Sequence, residues 1–210
     1  MTHDVDIRDK LLSSLTHIDN VFDTVHASTG RGGPLSFPDE QKLVDGLLMS
    51  AWAQWERFTR ELFITDFSTD SSTIVQKRVS RFKSTWAAWY LAEAILDHPD
   101  EDKWVEWSSP DTLTERAKDL LSPGHRYSAL GPYKQNLRYI RTIRNAVAHR
   151  SDVAWTKFKK MAQAPPFNLS SGQMRGLTTG RFLASHQWGA QPILKHSVQV
   201  LSDASRALVP

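Results

Sequence analysis

Apolar side chains at Ile7, Leu11, Leu15, Ile18, Phe22 and Val25 recur at steps of three and four, which predicts an amphipathic helix over residues 4–27. Thr29-Gly30-Arg31-Gly32-Gly33-Pro34 ends it. Pro38, followed by Asp39 and Glu40, predicts the start of a second helix, because proline fits a first turn and acids complement the dipole there. Its stripe runs through Leu43, Leu47, Ala51, Trp55, Phe58 and Leu62. The polar run from Asp66 to Ser72 reads as a turn. Val75, Val79, Phe82, Trp86, Trp89 and Tyr90 then predict a third helix to about Leu96, broken by His98-Pro99-Asp100-Glu101-Asp102. Leu113, Ala117, Leu120 and Leu121 fit a short helix closed by Ser122-Pro123-Gly124. A strong helix is predicted from Pro132 to about Arg150, and a short one from Asp152 to Met161. Pro165, Pro166, Gly172, Gly176, Gly180 and Gly189 make residues 162–191 a loop-rich segment with at most a helical turn or two. Ile193, Leu194, Val198, Leu201, Ala204 and Leu208 mark a terminal helix. No strand alternation stands out, so the expected class is all-α: a bundle of about five main helices plus short ones, in a single domain over residues 1–210.

Composition narrows the chemistry. The 210 residues include no Cys, which excludes disulfides, cysteine-based zinc sites and a thiol nucleophile. Lys and Arg number 26 against 23 Asp and Glu, a net charge of +3 that permits a polyanionic partner without demanding one. No leader-like segment opens the chain and no apolar run approaches the ~20 residues of a bilayer span. The expectation is a soluble, cytoplasmic protein with no membrane association. Trp52/Trp55, Trp86/Trp89 and Trp104/Trp107 share one spacing, i to i+3. Their surroundings differ, so this is no repeat, and on a helix the spacing places two rings on one face; core packing is expected for the first two pairs.

The stretch that carries chemistry is Leu137-Arg138-Tyr139-Ile140-Arg141-Thr142-Ile143-Arg144-Asn145-Ala146-Val147-Ala148-His149-Arg150. At about 100° per residue, Tyr133, Ile140, Ile143 and Val147 fall together as a buried face. Arg138, Arg141, Asn145, His149 and Asp152 share a second arc, with Arg144 at its border towards the apolar side. A guanidinium cannot lose its proton, so a partly covered Arg144 needs an anionic or carbonyl partner. Asn145 and His149 are i, i+4 neighbours able to orient each other. Arg144 and His149 lie about 140° apart on the wheel, too far to converge on one small group from one helix. Two copies paired about a two-fold axis would bring both into one cleft.

Arg144-Asn145-Ala146-Val147-Ala148-His149 resembles the R-(polar)-x-x-x-H signature of the HEPN superfamily, and the flanking Leu-Arg-Tyr-Ile-Arg-Thr-Ile and Arg150 are similar as well. So is an upstream helix with Ser50-Ala51-Trp52-Ala53-Gln54-Trp55-Glu56-Arg57-Phe58. The sharp likeness covers residues 133–152 and a looser one 43–66, with a layout similar to the RiboL-PSP branch. The resemblance implies a helical, homodimeric, metal-independent endoribonuclease without a cofactor. In it the RNA 2′-hydroxyl attacks the adjacent phosphodiester and leaves a 2′,3′-cyclic phosphate. Arg144 would hold the phosphate, His149 would move the proton, and Asn145 would orient His149 or the scissile group. Glu56 resembles the acidic residue that some branches keep on a preceding helix and would pair Arg144. It also implies a toxin or defence setting, with an antitoxin protein as a possible partner.

Each residue has a plainer reading. His149 is also a helix-terminal histidine favoured by the dipole, and Glu56 a solvated helix charge. Arg138, Arg141 and Arg150 would bind RNA backbone phosphates, with Arg141 supporting the site, yet basic residues suit a helix C-terminus anyway. Lys157, Lys159 and Lys160 extend the basic stretch as a partly solvated face. Gly30-Arg31-Gly32-Gly33 lacks the Lys-Ser/Thr of a phosphate loop and reads as a connector. The other histidines have no ligand spacing; Arg175, Arg181 and His186 fall in the Gly-rich segment without a motif. The main alternative to an enzyme is a HEPN interaction or nucleotide-binding module; a general nucleic-acid binder without cleavage is a third.

Overall fold

The structure, a computed structural model, describes residues 3–79, 85–97, 106–149 and 151–210. It is an all-α helical protein. Its helices are α1 (His3–Ala27), α2 (Phe37–Thr69), α3 (Ile74–Val79), α4 (Thr85–Asp97), α5 (Pro110–Leu120), a 3₁₀ helix (Arg126–Tyr133), α6 (Lys134–His149), α7 (Asp152–Gln163), α8 (Thr179–Ser185) and α9 (Ile193–Leu208). A two-residue antiparallel pair, β1 (Gln187–Trp188) and β2 (Gln191–Pro192), precedes α9.

The chain forms two compact units: residues 1–11, 55–134 and 204–210, and residues 12–54 and 135–203. In the first unit Trp55, Phe58, Leu62, Phe63 and Phe67 of α2 are buried. Polar groups on that face are satisfied locally: the Trp55 indole N–H donates to the Ser108 carbonyl at 3.3 Å, and the Thr59 hydroxyl to the Trp107 carbonyl at 2.7 Å. Arg116 lies over the Trp107 ring at 4.6 Å. Arg126 bridges Asp4 at 2.7 Å and Asp66 at 3.1 Å. Arg8 donates to the Val209 carbonyl at 2.9 Å, and Arg126 to that of Leu208 at 3.5 Å.

In the second unit Leu15, Ile18, Phe22 and Val25 of α1 are buried as the periodicity predicts, and Lys195 of α9 pairs with Asp19 and Asp23. Of the α9 stripe, Ile193, Leu194, Val198 and Leu201 are buried in this unit, and Ala204 and Leu208 belong to the first unit, where they are buried too. Along the start of α2 the buried positions are Val44 and Leu48, not Leu43 and Leu47. Leu43 is 45% exposed, so the stripe is offset by one residue before it meets Ala51.

Two other expectations shift. The Asp66–Ser72 turn begins four residues late, because α2 continues to Thr69 with Phe67 buried and the Ser68 and Thr69 hydroxyls bonded back to the Thr65 carbonyl. The third helix is described as α3 and α4, where Ala88, Ala92 and Leu96 are buried and Tyr90 is 60% exposed. Phe82, Trp104, Arg150 and the 98–102 break lie outside the described residues, as does the Trp86 side chain. Trp52 and Trp55 are both core residues, and Trp107 is buried.

Residues 162–191 are mostly irregular but carry α8, β1 and β2. The Thr178 hydroxyl caps α8 by accepting from the Arg181 N–H, and it donates to the Gln41 side-chain carbonyl at 2.6 Å. At Gly180 any Cβ would run into the Gln41 backbone carbonyl, so α8 approaches α2 as only glycine allows. Tyr139, Phe167, Phe182 and Trp188 meet edge to face, with centroids 5.2–5.8 Å apart between neighbours. This segment therefore packs against α6.

Candidate functional site

The site is built on α6, whose buried residues are Leu137, Ile140, Ile143 and Ala146. The predicted face included Tyr133 and Val147 instead. Tyr133 belongs to the preceding 3₁₀ helix, where the angular step is not that of an α-helix, and both it and Val147 are half-buried. Tyr139 clamps the helix from the side, its hydroxyl donating to the Pro165 carbonyl at 3.1 Å. Between Leu137 and Ala146 the helix is thus fixed by its core face and by the 162–191 segment.

That anchoring dictates what the polar residues do. Arg144 lies about 40° from Ile140 on the wheel, so its stem is half-buried. Its Nη1 donates to the Asn145 Oδ1 at 3.1 Å, while its Nε is buried and has no hydrogen-bond acceptor among the described residues. The guanidinium is held on one edge with donors to spare. His149 lies about 180° from Ile140; it is the last residue of α6 and is exposed. Asn145 is half-buried and is engaged with Arg144, not with His149 as its i+4 position invited. The sequence-adjacent pairing wins because the guanidinium is a charged donor, which makes the stronger hydrogen bond.

Arg138 is exposed and Arg141 half-buried on the same solvent side as Asn145. Glu56 is half-buried on α2 in the first unit, whereas Arg144 belongs to the second. Arg150 lies outside the described residues. Among the described residues no group of three or more His, Asp or Glu is placed to hold a metal ion, and no helix is long and apolar enough to cross a membrane.

Two histidines of the second unit are shielded. Burial lowers the pKa of His186, beside Arg181, and that of His196, whose ring lies 4.3 Å from that of Trp188. Arg175 and Arg181 are exposed. Beyond α6, the α7 side chains of Thr156, Lys159, Lys160 and Gln163, with Ala164, line an open concavity of about 360 Å³. Both lysines are exposed, as expected of a partly solvated face. The signal for the concavity in the sequence is the i, i+3, i+4, i+7 register of these side chains, which puts all four polar residues on one side of a helix. No family model, curated protein or solved structure matches the chain.

Proposed function

We propose that this protein is a metal-independent endoribonuclease of the HEPN type, acting as a homodimer, with Arg144 and His149 as its catalytic pair. The observation that carries the reading is the state of Arg144: it is half-buried, held by Asn145 on one edge, and its Nε has no hydrogen-bond acceptor among the described residues, in a helix that has no acidic residue. Such a guanidinium suits a phosphodiester, which can accept two parallel N–H bonds.

In the reaction the 2′-oxygen attacks phosphorus, the bond to the 5′-oxygen breaks, and a 2′,3′-cyclic phosphate remains. His149, exposed and free to reach a substrate, exchanges the proton at the 2′- or 5′-oxygen. Arg144 offsets the charge that builds on the non-bridging oxygens. Asn145 acts on Arg144 and is a positioning residue. Because Arg144 and His149 leave α6 in directions about 140° apart, a partner copy supplies one of them to each cleft. Glu56 as a further partner of Arg144, Arg138 and Arg150 as backbone contacts with Arg141 in support, a neutralising partner protein, and a cytoplasmic role in stress or phage defence belong to the same reading.

The test is incubation of the purified protein with mixed-sequence single-stranded RNA in excess EDTA. Cyclic-phosphate ends are expected from the wild type, with rates about 10²–10⁴-fold lower for His149→Ala and similarly reduced for Arg144→Ala, each confirmed helical by circular dichroism. RNA that the wild type binds and leaves intact would move the assignment to a binding or interaction module.

A further inference from the structure

Charge in this chain is unevenly placed. Residues 135–163 hold seven Lys and Arg against one Asp, while the remainder hold 19 against 22. Arg8, Arg57, Arg60, Arg126, Lys134 and Lys195 each have a carboxylate partner. Lys157, Lys159 and Lys160 have none among the described residues. Holding like charges close together without compensation costs stability, so three lysines within four residues that have no carboxylate partner present their charge to something outside the chain.

Helix α7 also has a defined orientation. Its N-cap, Ser151, accepts from the Ala154 N–H at 3.2 Å, and its buried side, Phe158, Met161 and Ala162, is seated by the edge-to-face contact of Phe158 with Phe182 at 5.1 Å. With that side fixed, Thr156, Lys159, Lys160 and Gln163 face outwards around the concavity of about 360 Å³. The space exceeds a phosphate group and suits a stretch of sugar-phosphate backbone. Two ammonium groups and two neutral side chains able to donate line it, with no carboxylate. The C-terminal carbonyls of α7 oppose an anion with about half a charge, which two full positive charges outweigh.

We infer that this face of α7 is a second, non-catalytic RNA-backbone subsite, in which Lys159 and Lys160 contact phosphates away from the scissile bond while Thr156 and Gln163 donate hydrogen bonds. The inference rests on RNA being the substrate of the Arg144 and His149 site. It extends the ligand class: the substrate is a strand long enough to run from α6 along α7, not a dinucleotide.

The probe is single-stranded RNA with 2′-O-methyl groups, which binds but cannot attack itself, so binding is read with the wild-type protein and no cleavage. Lys159→Gln with Lys160→Gln should weaken binding about tenfold at low salt and reduce the salt slope by about 1.4, at about 0.7 per lost single-strand contact. Lys42→Gln with Lys118→Gln, the same charge change on α2 and α5, should leave both unchanged, and the double Arg replacement at 159 and 160 should restore binding. Equal weakening by both Gln pairs, or none by the α7 pair, overturns the subsite. On cleavable RNA the α7 pair should raise KM and spare kcat. If the wild type cleaves but the α7 pair binds normally, the subsite falls and the ribonuclease stands; if binding depends on α7 but nothing is cleaved, the ribonuclease falls and the subsite stands.

Discussion

Asp66 carries a conflict within a single side chain. Burial pushes its carboxyl up to about 6; Arg126 at 3.1 Å pulls the other way, helped by the buried Tyr127 hydroxyl beside it, while Asp4 and Asp70 add to the rise. Burial, with the nearby Asp66 charge, raises the pKa of the Tyr127 hydroxyl itself. A carboxyl whose folded pKa exceeds its unfolded value of about 3.9 stabilises the fold below that value and loses this contribution as pH rises through about 6. Thermal unfolding of wild type and Asp66→Asn should therefore diverge between about pH 4 and 7. The variant gains relative to wild type as pH rises, by about 2–3 kcal/mol at the upper end; parallel curves would contradict the assignment. Asp70 works in the opposite direction: desolvation raises its pKa, but the N–H and hydroxyl bonds from Ser122 and Ser72 outweigh this and hold it low, so its contribution is present at neutral pH and is lost progressively as pH falls below the ordinary carboxylate value. Gly180 is a constraint of another kind. Gly180→Ala should cost about 2 kcal/mol or more, because the Cβ meets backbone and not a side chain that can turn away.

Between elements, the contact that decides the geometry of α6 is its clamp by residues 162–191. Tyr139→Phe, which removes the bond to the Pro165 carbonyl but keeps the ring, should cost about 0.5–1 kcal/mol in denaturant unfolding. Tyr139→Ala also strips the edge-to-face contacts with Phe167 and Trp188 and should cost about 2–3 kcal/mol. If the two losses are equal, the ring contacts hold nothing. Periodicity made α1, α9 and the outline of α6 legible because one face of each repeats without interruption. It failed where the rule changes: at Leu43, one step off the buried register of α2, and at Tyr133, which sits in a 3₁₀ turn. The clamp was not legible, since Phe167, Phe182 and Trp188 come from a segment with no period of its own and meet only through the tertiary fold. That Arg144 would sit at the border of the buried face and His149 on the solvent side was legible from spacing. That Asn145 would turn to Arg144 was not, because two neighbours competed for one amide.

At the scale of the molecule, the proposed assembly has a signature of its own. If each cleft takes Arg144 from one copy and His149 from the other, mixing inactive Arg144→Ala with inactive His149→Ala after subunit exchange should restore about a quarter of wild-type cleavage, since half the dimers are mixed and each has one complete site. No recovery in dimers shown to be mixed would place both residues in one subunit's site. The fold itself secures the far end of α9. The final carbonyls of a helix have no partner within it, and such ends ordinarily fray. Here the Leu208 and Val209 carbonyls receive Arg126 and Arg8. The last turn of α9 should consequently exchange its amide hydrogens slowly, because fraying it requires two arginines to let go first.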